Sequence, residues 1–358
     1  MSWWHDSAMQ FDMFYEISNP PSLARSEHAA FGQCLDEMVL GEQLGFGGVW
    51  LVEHHFMPVY SHSAAPDLVL AALSQRTSRL RLGLGVTPLP YHHPVQVAER
   101  AATLDNISGG RLEMGIGRGF SPAEFSAFGI DMLHSRTLTS ESLAILRQAF
   151  SGQPLQFSGQ HFRLDNLPLA PGVLQRPHPP LWTAAVSPDT FVWAAEEQLG
   201  VLAGPFKPWT MVRADIRQYR QHWQGTQAPR TGMTLGIFCL PDGKRARELA
   251  RPAFEWFYRQ LFSTTLPVLE KLYPSYEHFH DLGRFRSLMK LGINLKLLEL
   301  AGMVVVGSPS ECLDKLAAYQ EAGVSHLLCA VGAGAMDSAL VQESMHCLAE
   351  DVMPHFRS

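Results

Sequence analysis

Eight short apolar runs, each followed by helix-forming sequence, limit what this chain can fold into. The runs are Gln10–Tyr15, Gly48–Val52, Leu80–Val86, Leu112–Gly117, Leu181–Ala185, Gly200–Ala203, Thr234–Leu240 and His326–Val331. Near-continuous apolar runs of this length suit strands covered on both faces, as in a parallel sheet. Helical spacing predicts helices at Cys34–Leu44, Asp67–Thr77, Val95–Ile107, Ser135–Phe150, Asp189–Leu199, Trp209–Trp223, Lys244–Tyr258, Pro309–Ala322 and Ser338–Met353. Asp67, after Pro66, is the expected cap of its helix. Eight such repeats predict an α/β chain of the (β/α)8 TIM-barrel class. A doubly wound sheet would need fewer strands and a phosphate turn after the first. Phe14-Tyr15-Glu16-Ile17-Ser18 carries no glycine there.

The chain is expected to form one barrel domain over residues 1–358, with insertions after strands four and seven. The first insertion, Ser151 to Pro180, is rich in Gly and Pro and reads as a small β excursion. The second, Phe262 to Gly302, is aromatic and charged and reads as an irregular lid segment. A hydrophobic content of 46% supports a large core, and a net charge of −6 without a basic stripe excludes a nucleic-acid binder. Five scattered cysteines without a Cys-x-x-Cys pair suit reduced thiols. The N-terminus lacks a basic region followed by an apolar run, and no run approaches the ~18 residues that span a bilayer. The expected location is the cytoplasm.

The chemistry concentrates where strands end. Gly48–Val52 runs into Glu53-His54-His55, and ionisable groups at a buried strand end are costly unless they are used. In a β/α barrel that end faces the active site. His92-His93-Pro94 follows the third strand and offers further imidazoles to the same mouth. Adjacent strand residues point to opposite faces, and no His-x-His or His-Glu-x-x-His is present, so no metal site is expected. Gly115-Ile116-Gly117-Arg118-Gly119 follows the fourth strand; its glycines let backbone approach an anion beside an arginine. Ser187-Pro188-Asp189-Thr190 opens a helix after the fifth strand, and Arg136 opens another. Taken alone, the glycine turn, the histidine pair and the Ser187 cap are equally explained by packing or capping, and Arg136 reads as a surface arginine. Together, two arginines and a helix N-terminus suit a phosphomonoester.

In order and spacing, these segments resemble the bacterial luciferase-like, flavin-dependent monooxygenases over almost the whole chain. The pieces include Gly45 through Phe56, Leu89 through Pro94, Leu104 through Leu112, Gly115 through Phe120, Ser135-Arg136, Ser187 with Thr190, and Val306 through Cys312. The luciferase catalytic-subunit branch is the most similar. The resemblance implies a barrel that binds reduced FMN supplied by a separate NAD(P)H-dependent flavin reductase. It implies phosphate contacts from Arg118, Arg136, Ser187 and Thr190, and a pocket lined by the backbone of Gly117, Gly119 and Phe120. Gly85-Val86 falls where the family often places a non-proline cis peptide, and Ala185-Val186 falls near the flavin ring. His54 matches the histidine that acts on the flavin–oxygen intermediate; His55 joins it as a catalytic candidate, mainly supporting the strand end.

Reaction with O2 on a small apolar substrate (aldehyde, ketone or aromatic) and a homodimer paired through Asp67–Thr77 are further implications. Two departures stand out. Gly117 replaces the luciferase cysteine beside the flavin, and Val186 replaces an acid before the phosphate-binding serine. Both weigh against light emission. A deazaflavin-dependent oxidoreductase on the same fold and a flavin-binding paralogue without turnover are the alternatives.

Overall fold

The computed structural model describes residues 8–272 and 292–357. Eleven strands are present among the described residues: β1 (Gln10–Tyr15), β2 (Gly48–Leu51), β3 (Arg81–Pro88), β4 (Leu112–Gly117), β5 (Leu155–Ser158), β6 (Arg163–Leu167), β7 (Leu181–Ala185), β8 (Gly200–Ala203), β9 (Thr231–Cys239), β10 (Val304–Gly307) and β11 (His326–Ala330). Eight of them close a parallel ring in the order β1, β2, β3, β4, β7, β8, β9, β11 and back to β1. The chain is a (β/α)8 barrel. The eight ring strands are the eight runs expected from sequence, with ends moved by up to three residues.

All residues of β2, β8 and β9 are buried, as expected for strands enclosed by barrel interior and helices. Inside the ring, Trp50 and Trp182 meet edge to face at 5.3 Å. Trp50 Nε1 donates to Asp12 at 2.9 Å, and Trp182 Nε1 donates to Glu113 at 2.7 Å. Leu202, Leu328, Phe14 and Val86 pack on the tryptophans. Gly83 and Gly200 stand against the two indoles, where any Cβ would collide with the ring. This plug gives the barrel a solid floor, so any site must lie at its rim.

Both expected insertions exist. β5 and β6 form an antiparallel pair between β4 and β7. After β9 the chain differs from expectation. The helix predicted to stop at Tyr258 runs on through Leu272 as α8 (Gly243–Leu272). A six-residue helix, α9 (Leu295–Leu300), and the strand β10, parallel to β9, follow. The segment expected to be irregular from Phe262 to Gly302 is therefore helical at both ends, and its middle lies outside the described residues. Aromatic and charged content suggested a loop from Phe262 onward, but Phe262 is a core contact of the same helix that carries Phe254, Phe257 and Tyr258.

Two helix starts also differ. α1 (Glu27–Leu44) begins seven residues earlier than predicted, because Ser26 accepts from Ala29 N and caps it. α2 (Pro66–Ser74) is not capped by Asp67, which lies in its first turn and holds Arg100 through two 2.7 Å hydrogen bonds.

Candidate active site

The C-terminal ends of β1 to β4 gather a buried polar cluster. Glu16 follows β1, Glu53-His54-His55 follows β2, Tyr91 and His92 follow β3, and Glu124 lies in α4 (Pro122–Ala127) beyond β4. Glu16, Glu53 and Glu124 are all buried. Ser63 Oγ donates to Val52 O at 2.6 Å, and His54 N donates to Ser63 O at 3.1 Å, which fixes the turn carrying the histidines.

The two histidines face different partners. His54 Nε2 lies 3.8 Å from Glu16 Oε2, and its Nδ1 lies 3.8 Å from Glu124 Oε1. Those separations are electrostatic contacts, too long for hydrogen bonds. The His54 ring meets Phe120 edge-on at 5.5 Å. His55 Nε2 lies 3.2 Å from Glu53 Oε1, and His92 Nε2 lies 2.5 Å from the same oxygen. Glu124 accepts from His55 N and from the Tyr91 hydroxyl, both at 2.9 Å.

Protonation follows from these neighbours. Burial acts to raise the Glu53 pKa, but the hydrogen bonds of His55 and His92 outweigh it and hold Glu53 below the usual range. Burial acts to lower the His54 pKa. The charges of Glu16 and Glu124 outweigh it, and His54 is raised. Glu16 is raised chiefly by burial, against the opposing pull of His54 and Tyr60. The neighbouring carboxylates thus favour the cationic form of the His54 imidazole.

The phosphate-candidate residues lie on the neighbouring strand ends. The Gly85–Val86 peptide is cis. Gly117 stands beside Val86, and a Cβ at 117 would lie 2.5 Å from Val86 Cγ2. Valine thus takes the space where a larger residue at 117 would project. β4 and β7 run side by side with Ile116 opposite Thr183, which brings Gly117 and Arg118 next to the end of β7 at Ala185 and Val186. The part-exposed Arg118 guanidinium pairs with no described residue. Gly119 has φ +71° and lies against Tyr91, so a left-handed turn leads into Phe120.

Ser187 is the N-cap of α6 (Pro188–Glu196), but its hydroxyl caps no backbone N–H; it lies 2.9 Å from the Thr190 hydroxyl. Arg136 is exposed in the first turn of α5 (Ser135–Phe150). All the sequence candidates stand on one rim of the barrel.

Sequence reasoning missed Glu16, Glu124, Tyr60 and Tyr91. Glu16 carries the same signal as Glu53, an acid where an apolar strand ends. Glu124 carried none, because its place depends on how α4 folds back over β2. Lys207 was also missed. It is buried, pairs closely with Asp215, and donates to Val186 O at 2.6 Å, one residue before Ser187.

The luciferase-like monooxygenase family matches residues 9–326. The chain belongs to that family. The uncharacterized protein y4wF of Sinorhizobium fredii is 33% identical over 84% of this chain and 86% of its own. The alkanal monooxygenase alpha chain of Photorhabdus luminescens is 26% identical over 98% of this chain and 97% of its own. Among solved structures, monooxygenase RslO1 from Streptomyces bottropensis superposes with a TM-score of 0.82 at 28% identity, over 97% of this chain and all of RslO1. The barrel is also shared, at 19% identity each, by a Pseudomonas putida Baeyer-Villiger monooxygenase solved with FMN and by a coenzyme F420-dependent reductase of Methanopyrus kandleri. The family places this chain among enzymes that oxygenate their substrates, the monooxygenases.

Proposed function

We propose that this chain is the oxygenating component of a two-component monooxygenase that takes reduced FMN from a separate NAD(P)H-dependent reductase. The observation that carries the reading is His54, a histidine raised in pKa between two buried carboxylates on the rim that also presents Arg118. The residues present fit reduced FMN. Arg118 has a guanidinium committed to no described residue, which suits a phosphate. Ser187 and Thr190 offer hydroxyls at the start of α6, where the helix dipole favours an anion. Arg136 opens α5 on the same rim. Gly117, Gly119 and Phe120 supply backbone that a flat ring can approach, with Gly85, Val86, Ala185 and Val186 across the mouth.

Bound reduced FMN would supply the two electrons that split O2, one oxygen atom going to substrate and the other to water. The protein's own work is acid–base and steric. His54 holds and returns a proton at Nε2. His55 and His92 keep Glu53 ionised and fix the strand end. Phe120 and Tyr60, the latter backed by Phe257, form an aromatic wall beside the imidazole. The substrate suited to that wall is small and apolar: an aldehyde, a ketone or an aromatic. A deazaflavin cofactor is the competing reading, since the same barrel carries F420-dependent enzymes. Glu53-His54-His55 favours FMN, because the deazaflavin branch more often carries an Asp-His pair there.

The test uses the full chain, FMN, NADH, a flavin reductase and ¹⁸O2, with a panel of aldehydes, ketones and aromatics. One ¹⁸O atom per product molecule is expected. Absence of label in every product, with F420H2-dependent reduction instead, would overturn the reading.

A further inference from the structure

We infer that Glu16 is the positioning residue through which His54 holds and exchanges its proton. The inference rests on the reading of His54 as the acid–base group of the site. Glu16 sits at the end of β1 with its side chain 6% exposed. Its Oε1 accepts from the Tyr60 hydroxyl at 2.9 Å, and its backbone carbonyl accepts from Ser61 Oγ at 2.9 Å. Its second oxygen, Oε2, is buried without a hydrogen-bond partner and faces His54 Nε2 at 3.8 Å. His54 Nδ1 is also buried without a partner. Unsatisfied buried polar atoms are rare in folded proteins, and these two, one on the carboxylate and one on the far side of the ring beside Glu124, mark a place where something must move or bind.

The other charged groups around His54 are already engaged. Glu124, from α4, accepts from His55 N and Tyr91. Glu53, on the same loop as His54, accepts from His55 and His92. The Glu16 oxygen that faces the imidazole is buried and accepts no hydrogen bond. Glu16 also lines a cavity with Ser18, Arg25, Glu37, Phe257 and Met336. When the two groups close to hydrogen-bond distance, a proton leaves the Glu16 carboxyl as an N–H bond forms at Nε2, and the reverse transfer restores the acid; no electron moves. Burial raises Glu16, and the charge of Glu16 is the largest influence raising His54, so the proton affinities of the two groups are coupled.

The experiment uses full-length protein labelled with ¹³Cε1-histidine, with the His54 signal assigned from His54→Gln. Its titration midpoint is expected to fall by about one pH unit or more in Glu16→Gln, a tenfold loss of proton affinity. Glu16→Asp, which keeps the charge, should recover most of that shift and serves where Glu16→Gln folds poorly. A parallel measurement follows hydrogen peroxide release after the protein with bound reduced FMN meets oxygen, between about pH 5 and 9. The step in that pH profile should move with the NMR midpoint. An unmoved His54 midpoint in both Glu16 variants would overturn the inference. A profile that keeps its step in His54→Gln would instead remove the acid–base reading of His54. A step lost in His54→Gln but unshifted in Glu16→Gln would remove the role of Glu16 alone.

Discussion

At the scale of single residues, the account turns on two side chains with opposite tasks. Arg118 has its charge available to a ligand, whereas His54 is held by its neighbours. A charge-assisted contact to phosphate is worth about 1.5–3 kcal/mol, so Arg118→Ala should weaken reduced FMN by roughly tenfold or more. Riboflavin, which lacks the phosphate, should be unaffected, and fluorescence titration with both flavins checks this. His54→Gln should keep FMN affinity within a few fold. General acid–base assistance is typically worth about 10²–10⁴ in rate, so product formation should fall by that factor, with peroxide released in its place. Product and peroxide counted per reduced flavin decide the point, and normal coupling in His54→Gln would remove its assignment.

At the scale of elements, much was legible and the omissions have physical causes. The eight ring strands could be read because enclosed parallel strands are apolar throughout, and their ends then located Glu53-His54-His55 and Gly117-Arg118-Gly119. The length of α8 could not be read, because the aromatic and charged sequence from Phe262 onward suggested a loop, whereas Phe262 packs in the core as part of the same helix. The partners of His54 could not be read either. Glu16 and Glu124 are 108 residues apart in sequence, and only closure of the barrel brings them to one imidazole.

One local motif carries a clear stability prediction. The helix α10 (Pro309–Glu321) starts with a capping box in which Ser308 Oγ accepts from Glu311 N and Glu311 accepts from Ser308 N at 2.7 Å. Arg247 first, and then the Ser308 N–H, hold Glu311 down to about 2. Glu311 is 41% exposed, so solvent screens much of the ion pair, and Glu311→Ala should cost about 1 kcal/mol through the lost cap. Because the folded pKa lies below the unfolded one, the ionised group's contribution is present above about pH 4.3 and fades toward pH 2. Urea unfolding of both proteins at neutral and acidic pH should show the difference shrinking as pH falls.

At the scale of the whole molecule, the barrel separates stability from chemistry. Trp50 and Trp182 fill its interior, while the rim collects ionisable groups that a packed core would not tolerate. Assembly belongs to the outer helices. Leu68 on α2 is 68% exposed, beside the Asp67–Arg100 pair, and we expect two copies to pair over that face. Leu68→Glu should turn a dimer into a monomer in sedimentation at micromolar concentration, and a wild-type monomer would contradict the expectation. Among the described residues no helix is long and apolar enough to cross a membrane. The central claim, that this rim is built for reduced FMN, is tested most directly by anaerobic titration of the wild-type protein with reduced FMN, reduced riboflavin and reduced F420. The account predicts that FMN binds at least about tenfold tighter than riboflavin, as a phosphate contact requires, and that F420 does not compete. Equal affinity for FMN and riboflavin, or displacement of FMN by F420, would contradict it.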